Sequence, residues 1–300
     1  MRSANLAQNF LRNERTARRL VSMADGDPEL LCVDIGAGKG TITMAALRRG
    51  GKVLAIEKDP RLSRDLHERF ANEPRVEIHE GDAMSTPLPN EPFVIAANPP
   101  FNISTQLVRR WLTVPNFVSG ALIVERPFGR RLAGEFGATK LSIAYQPYLR
   151  IEVAATLNPS EFSPRPRIDV AIITVRRNIK PTIPDTLRGS YWAFINYLFE
   201  RGQHTIGESL APLSRSIERG IGAERVQNLT GERAIYLYET LVKGNTLVET
   251  KIKSFNQGLP SKRRLDAAAE QPVTAKQAGR SNPTEQAGPR AEAVKRRLQS

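Results

Sequence analysis

The chain has 300 residues, of which 40% are hydrophobic and 25% charged, enough to bury the cores of one large and one small domain. Lysine and arginine number 44 against 31 aspartate and glutamate residues, and the net charge of +13 favours a polyanionic partner. No apolar run is long enough to span a bilayer and the N-terminus lacks the apolar region of a secretory signal, so we expect a nucleic-acid partner, no membrane and a cytoplasmic location.

The first half of the chain alternates short apolar runs with helical stretches. The predicted strands are aliphatic and β-branched runs bounded by Gly, Pro or Asp: Leu30–Gly36, Val53–Glu57, Val76–Glu80, Phe93–Ala97 and Ala121–Glu125. The predicted helices lie between and after them: Thr41–Arg49, Pro60–Phe70, Ser104–Leu112 and Gly129–Glu135. This alternation predicts an α/β fold in which helices cover both faces of a parallel sheet.

The pattern changes after residue 140. Two further predicted strands, Ile151–Leu157 and Val170–Arg176, are joined by a proline-rich loop, a spacing that suits an antiparallel pair added to the sheet. Residues 182–252 have helical apolar spacing, and the chain beyond is rich in Ala, Gln, Pro, Ser and charge. The predicted boundaries are an α/β domain over 1–180, a small helical domain over 181–255 and a disordered basic tail over 256–300.

A glycine-rich turn led by an acidic residue, Asp34–Gly40, follows the first predicted strand. Glycines there let the backbone turn sharply and approach a ligand closely. The G-x-G-x-G spacing differs from the G-x-G-x-x-G of dinucleotide sites and favours S-adenosylmethionine, which has no pyrophosphate. Glu57 and Asp82 follow the next two strands, where the first carboxylate would accept from the ribose hydroxyls and the second from the adenine amino group.

The segment Asn98-Pro99-Pro100-Phe101 follows the fourth predicted strand. An adenine amino nitrogen is a poor nucleophile because its lone pair is delocalised into the ring, and hydrogen-bond acceptors can draw it towards tetrahedral geometry. The Asn98 side-chain oxygen and the Pro99 carbonyl would be these acceptors, and Phe101 offers a face for base stacking. We therefore predict Asn98, Pro99 and Phe101 as catalytic residues, and Cys32 as a buried structural thiol.

Five stretches, in order, resemble the erythromycin-resistance (Erm) rRNA adenine N6-methyltransferases within the rRNA adenine dimethylase family. They are Gln8–Leu11, Asp34–Gly40, Ala55–Glu57, Gly81–Asp82 and Asn98–Thr105, and a sixth, Phe162–Asp169, resembles the family's late loop. The resemblance covers about residues 8–177. It implies a Rossmann-like class I SAM-dependent methyltransferase, with a mostly parallel seven-stranded sheet and a small C-terminal helical domain.

The resemblance also implies roles for individual residues. Cofactor contacts would come from Asn9, Leu11, Gly36, Gly38, Glu57, Asp82 and Asn98. Phe101 and Phe162 would bracket the target adenine, which must leave its stack to be reached. The chain departs from the family in having Pro99 where Ile or Leu is usual and Asp34 where Glu is common. These departures leave methyl transfer intact.

Basic residues cluster outside the cofactor motifs. Arg12, Arg15 and Arg19 are predicted to share a helical face near the site entrance, while Arg165 and Arg167 flank the late loop. A single arginine is more often solvated surface, but the summed excess favours phosphate contacts. Single-stranded or bulged RNA is the natural target because its bases are accessible.

The leading hypothesis is an rRNA adenine N6-methyltransferase. The resemblance places its target adenine in the peptidyl-transferase region of 23S rRNA, where methylation gives resistance to macrolides, lincosamides and streptogramin B, and implies a monomer without a metal. Two enzyme alternatives are a small-subunit (16S) rRNA adenine dimethyltransferase and a DNA adenine N6-methyltransferase. A non-catalytic RNA-binding relative is a further alternative, against which intact Glu57, Asp82 and Asn98 argue.

Overall fold

A computed structural model describes residues 9–135, 137–201, 205–214 and 218–259. Gln8 lies outside the described residues. So do residues 260–300, which make up nearly all of the predicted basic tail. In the described ranges no helix has the length and apolar character needed to cross a membrane. The same ranges contain no group of three or more His, Cys, Asp or Glu side chains that could hold a metal ion.

A seven-stranded sheet lies at the centre of the fold. The described strands are β1 (Phe10–Leu11), β2 (Leu31–Ile35), β3 (Val53–Glu57), β4 (Val76–Glu80), β5 (Phe93–Ala97), β6 (Phe117–Glu125), β7 (Leu149–Leu157), β8 (Phe162–Ser163) and β9 (Val170–Arg177). The sheet order is β4-β3-β2-β5-β6-β9-β7; β2 to β6 are parallel, and β9 is antiparallel to both β6 and β7. The predicted mostly parallel seven-stranded sheet is confirmed, although β6 begins before the predicted Ala121.

Helices follow most of the parallel strands. The described helices are α1 (Glu14–Met23), α2 (Thr41–Leu47), α3 (Pro60–Arg69), α4 (Ser104–Trp111), α5 (Arg126–Ala133), α6 (Lys140–Tyr145), α7 (Arg188–Glu200), α8 (Ile206–Leu210), α9 (Arg219–Gly222), α10 (Gly231–Leu241) and α11 (Thr246–Gln257). The Asp59 side chain caps α3 by accepting from the Arg61 amide, with proline at the first position. The helix predicted from Gly129 instead begins at Arg126, because proline is tolerated in a first turn.

Alternate residues of the central strands belong to two hydrophobic clusters, one on each face of the sheet. In β2, Val33 and Ile35 belong to the cluster that also contains residues of α4 to α7. Cys32, 2% exposed, belongs to the other cluster, with residues of α1 and α2. Because helices cover both faces, a ligand is expected at the carboxyl ends of the strands, where the strand order reverses between β2 and β5.

The pairing of β1 with β8 was not predicted. These two-residue strands are antiparallel, with Phe10 opposite Ser163 and Leu11 opposite Phe162. Strands this short have no alternating pattern that a sequence could reveal. The prediction that Arg12 shares a helical face with Arg15 and Arg19 is wrong, because Arg12 precedes the cap of α1 and lies outside the helix.

The C-terminal helices share a core with the sheet. One cluster contains residues from Val33 in β2 through Tyr191 in α7 to Ile252 in α11. The helical spacing predicted over 182–252 is confirmed by α7, α8, α10 and α11. The domain boundary near residue 180 stays a prediction, since the packing is continuous across it.

A buried polar network also ties α6 to these helices. The Lys140 ammonium donates to Asn196 Oδ1 at 3.1 Å and to Glu200 Oε1 at 2.6 Å. Asn196 Nδ2 donates to Asn256 Oδ1 at 2.8 Å, and Asn196 is 1% exposed. The amide of Asn196 therefore connects α6, α7 and α11 where water cannot replace it.

Replacing Asn196 tests this network. Asn196→Ala should lower the free energy of unfolding by about 1–3 kcal/mol, because it leaves buried polar partners unpaired. Urea unfolding measures this loss, and Asn90→Ala, in an exposed loop, should stay within about 0.5 kcal/mol of the wild type. Equal unfolding midpoints for Asn196→Ala and the wild type would show that the network contributes no stability.

Candidate active site

The glycine loop after β2 is held in a conformation that side chains would obstruct. Gly36 and Gly38 have positive φ values of 74° and 56°. A Cβ at Gly38 would lie 2.9 Å from the Phe10 ring, and one at Gly36 would lie 3.2 Å from Pro100 Cδ. The loop thus packs between the N-terminal strand and the Asn-Pro-Pro-Phe segment, which brings together three motifs that are far apart in sequence.

Glu57 supports the glycine loop from the end of β3. It is 1% exposed, Oε2 accepts from the Gly38 amide at 2.8 Å, and Oε1 accepts from the Asp59 amide at 2.8 Å. A carboxylate has about four acceptor positions, so two remain for ribose hydroxyls. The ribose contact stays a prediction, because Glu57 is 1% exposed in this conformation, and the hydrogen bond to Gly38 is a structural role that the sequence did not indicate.

Asp82 lies two residues beyond β4 and is partly engaged. Its Oδ1 accepts from the Met84 amide at 2.8 Å, and its Oδ2 forms an ion pair with Lys58 Nζ at 2.8 Å. The hydrogen bond from Lys58 is the main cause that lowers the pKa of Asp82, followed by the Met84 amide. Asp82 therefore stays ionised and can accept from an adenine amino group, beside a lysine that the sequence analysis missed.

The side-chain amide of Asn98 has its nitrogen engaged in a hydrogen bond and its oxygen free of one. Its Nδ2 donates to the Asn9 backbone carbonyl at 2.7 Å. Its Oδ1 is buried and has no hydrogen-bond partner among the described residues. A carbonyl can only accept, so the contact with Asn9 fixes which side of the amide is oxygen. The result is a buried acceptor available to a ligand.

A pocket with an empty volume of about 530 Å³ opens at this point. Its lining includes the predicted residues Asn9, Leu11, Gly36, Asn98, Pro99 and Phe101. Phe10, Lys39 and Thr41 also line it and were not predicted. Lys39 Nζ lies 5.7 Å from the Phe10 ring centroid, within cation–π range. Only the position of Lys39 inside the glycine loop could have suggested it from sequence.

The two phenylalanines predicted to bracket the target base differ in how far they are exposed. Phe101 is half-buried and lines the pocket. Phe162 is 2% exposed and packs in the hydrophobic cluster opposite Leu11. Its ring offers no free face in this conformation, so the prediction that Phe162 stacks on the base requires β8 to move.

Asp34 is fully buried beneath the glycine loop. Its Oδ2 accepts from Thr43 Oγ1 at 2.8 Å, and its Oδ1 has no partner among the described residues. Burial raises its pKa from 3.8 to about 7, opposed by the hydrogen bond from Thr43. Burial likewise raises the pKa of Cys32 to about 12, so this thiol is a structural group as predicted.

The ribosomal RNA adenine dimethylase family model matches residues 2–234 of the chain. An rRNA adenine N-6-methyltransferase of Aeromicrobium erythreum is 35% identical over 189 residues, covering 63% of this chain and 56% of that protein. One of Streptomyces fradiae is 30% identical over 219 residues, covering 72% and 67%. The ribosomal RNA small subunit methyltransferase A of Thermotoga maritima is 28% identical over 238 residues, covering 78% and 84%. The chain therefore spans little more than half the length of the Aeromicrobium relative.

Two solved structures are similar over most of the chain. The 23S rRNA methyltransferase ErmE has a TM-score of 0.69 and 25% identity, and the match covers 78% of this chain and 99% of that one. A dimethyladenosine transferase from Plasmodium falciparum has a TM-score of 0.68 and 20% identity, covering 78% and 98%. The second similarity shows a shared fold.

The buried carboxyl of Asp34 predicts a pH-dependent stability. Because its folded pKa of about 7 exceeds 3.8, its stabilising contribution is complete below pH 3.8 and is lost as pH rises through about 7. Asp34→Asn keeps an acceptor for Thr43 and cannot ionise. The melting temperature of the variant relative to wild type should therefore rise between about pH 5 and about pH 8. Thermal unfolding of the protein without added ligand measures this, and a constant difference would contradict it.

Proposed function

The chain belongs to the ribosomal RNA adenine dimethylase family, and from this premise we propose that it methylates the N6 amino group of an adenine in ribosomal RNA. S-adenosyl-L-methionine is the methyl donor. The observation that carries the proposal is the buried, unpartnered Asn98 Oδ1 at the pocket, with Nδ2 held by the Asn9 carbonyl. An acceptor fixed in this way suits a ligand that brings an N–H donor, as the adenine amino group does.

The residues around the glycine loop fit the proposed cofactor. Gly36 and Gly38 form a cradle without side chains, Glu57 keeps two acceptor positions for ribose, and ionised Asp82 can accept from the adenine of the cofactor. Asn9 and Leu11 line the pocket and would contact the methionine end of the cofactor. When bound, S-adenosylmethionine supplies a methyl group attached to a positively charged sulfur.

The chain's own residues would prepare the target nitrogen. Asn98 Oδ1 and the Pro99 carbonyl accept from the two amino hydrogens, which draws the nitrogen lone pair out of conjugation with the ring. Neither Pro99 nor Pro100 has an N–H that could compete for these acceptors. The methylated nitrogen carries a positive charge and loses a proton to water, so no side chain is needed as a base.

The target base would be held outside its stack. Phe101 provides a partly exposed ring in the pocket, and stacking on such a ring contributes about 1–3 kcal/mol per base. Unpaired RNA is favoured over a duplex because less stacking must be broken. We retain Phe162 as a second stacking residue only in a rearranged complex, since its ring is buried here.

We propose 23S rRNA as the substrate, acted on by a cytoplasmic monomer without a bound metal. The Aeromicrobium relative and the ErmE structure support this choice over DNA. Methylation in the peptidyl-transferase region would remove an amino hydrogen and add bulk, which would block macrolides, lincosamides and streptogramin B. The Thermotoga relative, matched over 84% of its length, supports small-subunit rRNA as the second candidate.

Mass spectrometry of rRNA decides between the candidates. Digests of large- and small-subunit rRNA from cells with and without the gene should differ by one methylated adenine in the large subunit. Macrolide susceptibility should fall in the same cells. Methylation confined to the small subunit would favour the second candidate, and unchanged digests of both subunits would contradict the proposed function.

Removing the Asn98 amide tests the acceptor role. Asn98→Ala should lower the single-turnover rate by about 100- to 1000-fold, because one preorganised group at the reacting nitrogen is lost. Affinity for S-adenosylmethionine, measured by calorimetry, should fall much less. Asn90→Ala, in an exposed loop, is the matched control and should keep the wild-type rate. Wild-type turnover by Asn98→Ala would exclude the acceptor role.

Two substitutions at Phe101 separate stacking from other effects. Phe101→Ala should weaken target binding by about 1–3 kcal/mol through lost stacking, while Phe101→Tyr keeps the ring and should stay close to wild type. Steady-state rates on an rRNA transcript, with the KM for RNA determined separately from kcat, give the comparison. Equal losses in both variants would indicate that the ring does not contact the base.

A further inference from the structure

A second depression adjoins the pocket and has no role in the proposed chemistry. It has an empty volume of about 360 Å³, and its lining includes Arg12, Glu14, Thr41, Arg48 and Arg69. Thr41 also lines the larger pocket, so the two share a wall at the start of α2. Three arginines and one glutamate line the depression, which leaves it cationic although Glu14 lies 3.6 Å from Arg48.

The guanidinium of Arg69 is fixed before any ligand binds. Its Nη1 donates to the Lys39 carbonyl at 2.5 Å, and its Cζ lies 5.6 Å from the Phe70 ring centroid. A guanidinium has five N–H donors, so this anchoring leaves others for an anion. Because the side chain is already ordered, binding an anion costs less conformational entropy.

Arg12 contributes a cation whose backbone is fixed. Its amide donates to the Glu161 carbonyl at 2.9 Å, directly after the β1–β8 ladder and before the Asn13 cap of α1. Its side chain is exposed, and no carboxylate in the described ranges forms an ion pair with it. The depression therefore holds one anchored guanidinium and one whose charge is not neutralised.

We propose that this depression, the phosphate pocket, binds one backbone phosphate of the RNA strand that carries the target adenine. The inference rests on the proposed function and deepens it. A flipped nucleotide turns about its own backbone, so its neighbouring phosphates stay at the mouth of the pocket that receives the base. Guanidinium groups match phosphate oxygens in geometry and charge, and phosphate contacts set the register of a strand. Arg12 and Arg69 thus act as positioning residues for the adenine.

The salt dependence of RNA binding tests the phosphate pocket. The variants are Arg12→Gln and Arg69→Gln, with Arg64→Gln as the control, because Arg64 is exposed on α3 and does not line the depression. The probe is a transcript of the peptidyl-transferase region of large-subunit rRNA. One phosphate accounts for about 0.7 of the slope of log affinity against log salt, so the slope should fall by part of that amount in each single variant and by about 0.7 in the double variant. Arg64→Gln should keep the wild-type slope.

A variant that restores the charge, the affinity for the cofactor and the binding of inorganic phosphate are measured as well. Arg12→Lys should recover most of the slope, because it restores the charge, and S-adenosylmethionine affinity should be unchanged in Arg12→Gln, whose side chain is exposed and makes no contact with the glycine loop. Slopes for Arg12→Gln and Arg69→Gln that match the Arg64→Gln control would overturn the proposal. Inorganic phosphate is titrated in parallel: binding of this ion that depends on Arg12 and Arg69, combined with unchanged RNA slopes, would identify a free anion as the occupant and also overturn it.

The phosphate pocket and the proposed function fail in different ways. A wild-type protein that methylates rRNA while the pocket variants keep its salt slope would refute the pocket alone. A wild-type protein that methylates no rRNA, but whose RNA salt slope falls in the pocket variants, would refute the methyl transfer alone. Binding and product formation are therefore measured on the same preparations.

Discussion

The hydrogen bond from Asn98 Nδ2 to the Asn9 carbonyl, 2.7 Å long, sets the direction of the acceptor on which the proposed chemistry depends. It commits the amide nitrogen and turns Oδ1 away, into a buried position without a partner in the described chain. An unpaired buried oxygen costs about 1–3 kcal/mol, and an incoming N–H donor recovers that cost. A ligand that presents an amino group is therefore favoured at this point, and whatever fixes Asn9 also fixes the acceptor.

Asn9 is fixed by contacts on both sides of the N-terminal segment. The next residue, Phe10, packs where a Cβ of Gly38 would otherwise lie. Leu11 pairs with Phe162 in the small β1–β8 sheet, and both are buried. Phe162 therefore supports the strand that orients Asn98 in this conformation. This structural role explains why a large apolar side chain is useful at that position even when it does not stack on a base.

The sequence revealed the features that depend on local periodicity and turn chemistry. The strand–helix alternation, the glycine loop and the carboxylates after successive strands each follow from residues close together in the chain. The features that the sequence did not reveal depend on contacts between residues far apart in the chain. Asn9 and Asn98 are 89 residues apart, and no pattern in either segment indicates that one amide orients the other. The ion pair of Lys58 with Asp82 and the burial of Phe162 are likewise set only by tertiary packing.

One short segment, residues 9–13, links the reactive site to the proposed phosphate pocket. Asn9 orients the acceptor, Phe10 lies against the glycine loop, and Arg12 lines the phosphate pocket. The backbone of this segment is held by the β1–β8 pairing on one side and by the start of α1 on the other, so its residues cannot shift independently. A phosphate bound at Arg12 would add a contact to the same rigid segment. A correctly bound RNA strand would then stabilise the geometry of the amide that receives its adenine, which couples target recognition to catalysis through this segment.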